Sequence, residues 1–255
     1  MKRIVQFVLT DILRNKIVLA YTIFLAVLSW SVFNLEDSSN KGLLTLLNVV
    51  LLVVPLFSIL FSTIYLYNSS EFIELLVSQP VKRAQIWKSL YLGLGISLVL
   101  AFVVAAGVPL LLFTELYQAL LLIVTGSLIS LVFISIACLA AIASRDKAKG
   151  IGVALLVWLY FALLFDGIVL FLLFQFSDYP IEKPMVMFSA TSPIDLVRIL
   201  NLIQLDASAM MGYTGAIFKN YFGAVGGLSI SLVILLIWMV LPFWWSLRIF
   251  KRKDL

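Results

Sequence analysis

The soft metal-binding side chains of this sequence are mostly thioethers, since it has six methionines, one cysteine and no histidine. Four of the six methionines fall in one stretch, residues 177–223, and thioether sulfur suits Cu(I). Met185 and Met187 would share a face if that stretch is extended, whereas the adjacent Met210 and Met211 would diverge on a helix. Methionine is also a frequent filler of apolar gaps. We therefore assign no metal site and keep these four residues only as candidates.

Other reactive groups are sparse. Cys138 is the only cysteine, which rules out an intrachain disulfide, and there is no histidine to act as a general base or a metal ligand. The sequence also has no Gly-x-x-x-x-Gly-Lys-Ser/Thr phosphate-binding loop. We therefore expect no enzyme activity in this chain. If ATP drives the protein, the nucleotide binds to another polypeptide.

Asp166 is the one carboxylate well inside a long apolar stretch, residues 151–176. An ionisable group inside a membrane is costly and normally faces a cavity or a polar partner. Two interpretations stay open for this intramembrane polar residue. It faces a polar cavity or a subunit interface, or the span is shorter than the apolar stretch and leaves Asp166 at the membrane surface.

The connector at residues 68–88 contains the sharpest motif. Serines precede Glu71 and Glu74, and Pro80 follows, which predicts a short helix of about two turns. The apolar residues presented beside these acids are Phe72, Leu75 and Leu76. An acidic and apolar tip suits a groove on a soluble partner, and the alternative is an interfacial loop helix without a partner.

A second short helix is predicted to begin at Ser192. Ser192 can cap it, Pro193 suits the first helical position, and Asp195 lies three residues after the cap. A helix ending near Leu205 would be about 20 Å long, too short to cross a membrane. Its polar stripe is Asp195, Arg198 and Asn201. We expect this helix at the outer membrane interface, with the stripe facing water or a partner.

Long apolar stretches must position these motifs. Each has roughly the 20 apolar residues that a membrane helix needs. The six predicted spans are residues 17–33, 43–67, 90–113, 119–143, 151–176 and 224–250. Most of the 18 Lys and Arg residues lie at the start, after spans two and four, and in the tail. Because positive loops resist translocation, this bias predicts that both termini are cytoplasmic.

The composition agrees with a polytopic all-α membrane protein. Apolar residues make up 63% of the chain and charged residues 12%, so we expect residues 1–255 to form a single transmembrane domain. Residues 1–16 read as an amphipathic interfacial helix, and residues 177–223 as an extracytoplasmic segment. The net charge of +5 lies at span ends, where it meets membrane lipids; no nucleic-acid partner is expected.

Two small-residue spacings favour close helix packing and suggest a second copy of the chain as a partner. Gly223 and Gly227 form a Gly-x-x-x-Gly pair, and Ala137 with Ala141 has the same spacing.

The sequence Asn-Ser-Ser-Glu-Phe-Ile-Glu-Leu-Leu-Val-Ser-Gln-Pro-Val-Lys-Arg at residues 68–83, together with Ser-Pro-Ile-Asp-Leu-Val-Arg at residues 192–198, resembles the ABC-2 family of transporter membrane subunits. Within that family it is most similar to NosY-type permeases of the copper-processing system that matures nitrous oxide reductase. The resemblance covers essentially the whole chain and implies a type V exporter-like architecture. It implies a coupling helix that docks on an ATPase, with the residues Glu71, Phe72, Glu74, Leu75, Leu76, Gln79 and Pro80. It implies outer partner contacts at Ser192, Pro193, Asp195, Arg198 and Asp206.

The resemblance also implies a bacterial inner-membrane location and three protein partners. These are a cytoplasmic ABC ATPase that carries ATP and Mg, a periplasmic copper-processing protein that carries any copper, and a second copy of the chain. The spans lack a series of Cys, Met or His side chains that could bind copper. Transmission of motion to an outer partner therefore fits the sequence better than passage of copper between the spans. The alternative function is export of a drug or lipid by the same architecture.

Overall fold

The computed structural model describes residues 2–36, 38–144, 146–175, 188, 190–204 and 212–252, and within these ranges the chain is helical and has no β-strand. The helices are α1 (Lys2–Leu13), α2 (Lys16–Leu35), α3 (Ser39–Asn68), α4 (Ser70–Val77), α5 (Arg83–Phe102), α6 (Val108–Phe113), α7 (Leu116–Ala143), α8 (Lys147–Leu159), α9 (Phe165–Gln175), α10 (Pro193–Gln204) and α11 (Gly212–Arg252). The all-α prediction is confirmed.

Six helical stretches in the described residues are long and apolar enough to cross a membrane. They are Lys16–Leu35, Ser39–Asn68, Arg83–Phe113, Leu116–Ala143, Lys147–Leu172 and Leu228–Arg252. The predicted number of six membrane-crossing helices is therefore confirmed by length and composition. The third helical stretch begins at Arg83, seven residues before the predicted span. The prediction started later because the first two turns of the helix carry polar residues, which do not belong to the apolar run.

The fourth crossing, α7, is the centre of the bundle and packs along both α3 and α11. Close approach depends on small residues: a Cβ added at Gly126 would collide with the ring of the fully buried Phe102. Hydroxyl pairs link the helices, as where the Oγ atoms of Ser58 and Ser130 lie 2.8 Å apart. Since lipid tails are as apolar as the side chains, such packing and hydrogen bonding hold membrane helices together.

Ala137 and Ala141 do not have the role that their spacing suggested. Both are buried inside the single chain on α7, with exposed fractions of 0% and 8%. Their small side chains therefore allow helices of one bundle to approach, rather than leaving a surface for a second copy. Gly223 and Gly227 lie within α11, and their role stays a prediction.

The amphipathic helix predicted before the first span is α1. Its apolar residues Val8 and Ile12 are fully buried, and a Cβ at Gly93 of α5 would press against Val8. On its other face, the Asp11 carboxylate accepts a 3.0 Å hydrogen bond from the Tyr65 hydroxyl. The helix thus lies against the start of α5 and the end of α3, the end of the bundle where α4 also lies.

In the described ranges, two π-helical segments interrupt the long helices. Val103–Gly107 joins α5 to α6, and Tyr160–Leu164 joins α8 to α9 directly before Asp166. A π-helical turn holds an extra residue, so it changes the direction in which the side chains that follow it point. The sequence periodicity of the fifth crossing therefore does not predict which neighbour Asp166 faces.

Candidate functional site

The helix α4 forms where the connector motif predicted it. It spans Ser70–Val77, has Glu71 in its first turn, and ends before Pro80. Negative charge near the positive end of the helix dipole favours this placement. Ser69 precedes the helix without a side-chain capping bond, whereas the Ser78 hydroxyl donates to the Leu75 carbonyl at 2.8 Å. The prediction of a helix is confirmed, with its termination reinforced by Ser78.

The two faces of α4 have different environments. Ile73 and Leu76 are buried against the rest of the chain, with exposed fractions of 6% and 8%. Leu75 is 66% exposed, and the acids Glu71 and Glu74 are exposed beside it. Leu76 therefore differs from the expectation that it is presented to a partner, because it anchors the helix. Gln79 and Pro80, in the turn that follows, are both exposed.

Phe72 is only partly exposed because it stacks on another aromatic ring. Its ring centroid lies 5.0 Å from that of Phe7 on α1, and Phe7 is itself 53% exposed. Helices α1 and α4 thus form one continuous exposed surface, which we call the α1–α4 surface: Phe7, Glu71, Phe72, Glu74 and Leu75. Sequence reasoning missed Phe7, although an aromatic residue on the polar side of α1, between Arg3 and Thr10, was a signal.

The helix α10 lies at the opposite end of the bundle and begins as predicted. The backbone N–H of Asp195 donates to the Ser192 hydroxyl at 3.2 Å, and Pro193 occupies the first helical position. This is the N-terminal capping that the sequence pattern predicted. The described part of the helix extends to Gln204, and its expected end near Leu205 lies outside the described residues.

The environment of α10 is the clearest correction to the sequence analysis. The polar stripe does not face water: Asp195 and Asn201 are buried, with exposed fractions of 7% and 5%. The Asn201 amide donates 3.0 Å to the Thr125 hydroxyl of α7. Ser192 and Pro193 are also buried, so neither lies at an outer surface. An amide or a carboxylate buried away from water needs a partner: Thr125 of α7 is the partner of Asn201, and Arg198 of α10 itself is the partner of Asp195.

Arg198 is the centre of a three-residue charge cluster. Its guanidinium donates to both carboxylate oxygens of Asp166 on α9, at 3.0 and 3.2 Å, and to Asp195 at 3.2 Å. Asp166 therefore has a partner within the chain, from a helix distant in sequence. The side chains of Arg198 and Asp166 are 31% and 40% exposed, so the cluster opens to the surroundings on one side.

The cluster also changes the acidity of Asp195. The pKa of this carboxyl is raised to about 7: burial is the largest cause, the Asp166 charge also raises it, and the Arg198 charge acts in the opposite direction. Two carboxylates share one guanidinium, so protonation of the more buried one relieves their repulsion. The pKa of Asp195 therefore lies where small changes near neutral pH alter its charge.

Several predicted site residues lie outside the described residues. These are Asp206, Met185, Met187, Met210 and Met211. In the part of the chain that the structure describes, no group of three or more His, Cys, Asp or Glu side chains could hold a metal ion. The copper-ligand interpretation of the methionines thus stays a prediction.

The all-helical fold and the six long apolar helices define the class of protein: it is an all-α, multi-pass membrane protein. The inner membrane is the expected location of such a protein in bacteria. No protein-family model matches the chain. It is similar to the probable ABC transporter permease protein NosY of Pseudomonas aeruginosa, 28% identical over 225 residues, which cover 80% of this chain and 82% of that protein. It is also similar to the protein of the same name from Stutzerimonas stutzeri, 25% identical over 221 residues, covering 78% and 80%.

These relatives confirm the resemblance to NosY-type permeases. They support the coarser conclusion that the chain is the permease subunit of an ABC transporter, with an ATPase subunit as its partner.

Proposed function

We propose that this permease subunit couples ATP hydrolysis by a separate ATPase to a copper-processing partner on the other side of the membrane, in the maturation of nitrous oxide reductase. ATP and Mg bind to the ATPase, and copper is carried by the outer partner. Two copies of the chain form the membrane part of the complex. The name shared by the two relatives supports the permease role, and the copper-processing role extends that similarity.

The observation that carries the proposal is the two-faced helix α4. Its inner face is fixed by Ile73 and Leu76, while Leu75 projects with an exposed fraction of 66% beside the exposed Glu71 and Glu74. A helix anchored on one side and bare on the other can be moved by a docked protein without unfolding. An apolar anchor flanked by charge is the pattern of a helix that fits into a groove.

Movement of α4 would pass to the far end of the bundle through packed helices. Only Ser69 separates α4 from α3, and α3 packs along α7. At the far end, Thr125 of α7 accepts the hydrogen bond from Asn201 of α10. We propose that this path transmits the motion, with α10 as an internal element. The partner then binds near the partly exposed Arg198 and Asp166, rather than to the buried Ser192 and Pro193.

Docking is tested by co-purification of the candidate ATPase with the full chain from membranes. Because Leu76 is buried, its truncation confounds docking with folding, so the test uses Leu75→Glu and the double variant Glu71→Lys with Glu74→Lys. Each should reduce the bound ATPase by about tenfold or more, the loss expected for an interface anchor. The matched control is Glu115→Lys, an exposed acid before α7 at the opposite end. ATPase binding that survives both α4 variants would refute docking at this helix.

The copper-processing part is tested separately in cells that contain nitrous oxide reductase. Deletion of this chain should lower the copper content of that enzyme, and the wild-type chain should restore it. Leu75→Glu should fail to restore it. Normal copper loading in the deletion strain would refute the copper-processing role while leaving the permease role intact.

A further inference from the structure

A groove runs between the first two membrane-crossing helices, α2 and α3. It encloses a cavity volume of about 640 Å³ and is open along one side. Its length follows from the residues that line it, which run from Asn15, directly before α2, to Phe24 on α2 and from Val53 to Asn68 on α3. At 1.5 Å per residue these stretches are about 14 and 22 Å long, close to the depth of one leaflet of a bilayer.

The wall of the groove is aromatic and rigid. The rings of Tyr21 and Phe57 stack with centroids 3.8 Å apart, and Phe57 continues through Phe61 to Tyr65 at centroid distances of 5.5 and 6.0 Å. These three α3 residues recur every four positions, so their rings follow one another along a single helix face. On the α2 side, the small side chain of Ala20 leaves the groove open. The groove is thus a preformed apolar channel lying along the membrane-crossing helices.

One end of the groove is polar and carries positive charge. Asn15 and Asn68 line it, and the Lys147 ammonium donates to the Asn68 side-chain oxygen at 2.8 Å. Arg14 and Lys16 flank Asn15, are exposed, and form no ion pair with the described residues. The nearby Asp11 carboxylate accepts a hydrogen bond from the Tyr65 hydroxyl. The cationic side chains therefore lie where two helix ends meet the head-group region.

We propose that this groove binds an anionic phospholipid, with an acyl chain along the aromatic wall and the phosphate at the Asn15–Asn68 end. Phosphate and Lys or Arg are complementary in charge, and amide N–H groups of Asn can donate to phosphate oxygens. The site lies on α2 and α3, away from the exposed face of α4, and does not depend on the proposed function. A lipid bound here packs against the end of α3, directly before α4.

A second copy of the chain fits the groove less well. An α-helix with its side chains is about 10–12 Å wide, so a helix of a second copy would lie across the opening of the groove and leave its depth unfilled. An acyl chain is far thinner than a helix. Shape and charge thus favour the phospholipid.

The test compares two tryptophan variants of the full chain, purified in mild detergent and reconstituted with equal amounts of phosphatidylglycerol and phosphatidylcholine. Ala20→Trp fills the groove, whereas Leu19→Trp adds the same side chain on a 49% exposed position of α2 outside the groove. After re-extraction, mass spectrometry counts the lipid retained per chain. Ala20→Trp should retain about tenfold less phosphatidylglycerol than Leu19→Trp. Equal retention in the two variants would overturn the proposal.

The head-group contacts are tested with a matched pair of charge variants. Lys16→Gln with Lys147→Gln should reduce the preference for phosphatidylglycerol over phosphatidylcholine by about tenfold, since each cation near an anionic lipid adds to binding. Lys82→Gln with Lys88→Gln removes the same charge from exposed positions at the same end and should leave the preference unchanged. Wild-type protein without a preference would overturn the proposal. Efficient disulfide cross-linking of Ala20→Cys between two copies, in a Cys138→Ala background, would also overturn it.

Discussion

The two short helices α4 and α10 look alike in sequence but have opposite environments. Each has an acid in its first turn, Glu71 in α4 and Asp195 in α10, and each has apolar residues at most of the other positions. In α4 the acids are exposed. In α10 the acid is buried and paired with Arg198.

The difference shows that a polar stripe on a short helix does not by itself indicate water or a partner protein. α10 turns its stripe inward because other helices supply groups for it, a carboxylate from α9 and a hydroxyl from α7. The acids of α4 form no ion pair within the described residues. A charge without a partner stays in water, because burial would cost several kcal/mol.

The largest expected effect tests whether Arg198 holds α10 inside the bundle. Arg198→Met leaves two carboxylates close together without their cation and should lower the free energy of unfolding by about 2–3 kcal/mol, reduced from the value for a fully buried pair because the cluster is partly exposed. The measurement is thermal or denaturant unfolding in detergent micelles. Adding Asp166→Asn should recover part of the loss. An unchanged stability would show that α10 is held by its apolar residues alone.

The next effect compares the two faces of α4. Leu76→Ala should cost about 2 kcal/mol because it opens a cavity on the buried face, whereas Leu75→Ala should change stability by less than about 0.5 kcal/mol. ATPase binding should show the reverse order, with the larger loss for Leu75→Ala. Equal stability losses in the two variants would mean that α4 is buried on both faces.

The pH dependence of stability should differ between the two helices. Because the native pKa of Asp195 is raised to about 7, above the ordinary carboxyl value of 3.8, the native state binds more protons than the unfolded state between these values. Stability should therefore increase as the pH falls from 8 to 5, by an amount on the order of 1 kcal/mol. Asp195→Asn should flatten this profile, while Glu74→Gln on α4 should not. A profile of the opposite slope would contradict the shared-guanidinium arrangement.

The smallest effect concerns the hydrogen bond at the inner end of the stripe. Asn201→Leu removes the donor to Thr125 and should cost about 0.6 kcal/mol, the average for hydrogen bonds between membrane helices. Thr125 keeps a bond to the Leu121 carbonyl, so no hydroxyl is left without a partner. A double-mutant cycle with Thr125→Val isolates the interaction. A coupling energy of zero would remove this contact from the proposed transmission path.

Apolar length and local helix signals were enough to predict the elements. The six crossings follow from uninterrupted apolar runs, because backbone groups in lipid must form helical hydrogen bonds. The bounds of α4 follow from its acids and Pro80, and the start of α10 follows from Ser192 and Pro193, because these effects extend over only a few residues. Each of these signals acts within one turn of helix, so no knowledge of the rest of the chain is needed.

The contacts between distant residues could not be predicted in this way. Asp166 and Arg198 were each noticed as candidates, but their pairing across 32 positions in the chain depends on the π-helical turn before Asp166 and on the placement of α10. Phe7 becomes part of the α1–α4 surface only through its stack on Phe72. The groove beside Ala20 likewise exists only because α2 and α3 are neighbours.

The amino-acid order therefore determined which segments are helices, how many can cross a membrane, where α4 begins and ends, and where α10 begins. The tertiary structure decided which way those short helices face. Helix formation depends on neighbours within four residues, whereas the direction of a polar stripe depends on whether another helix brings a partner for each buried charge. For α10 that partner is Asp166, and for the exposed acids of α4 the described bundle supplies none.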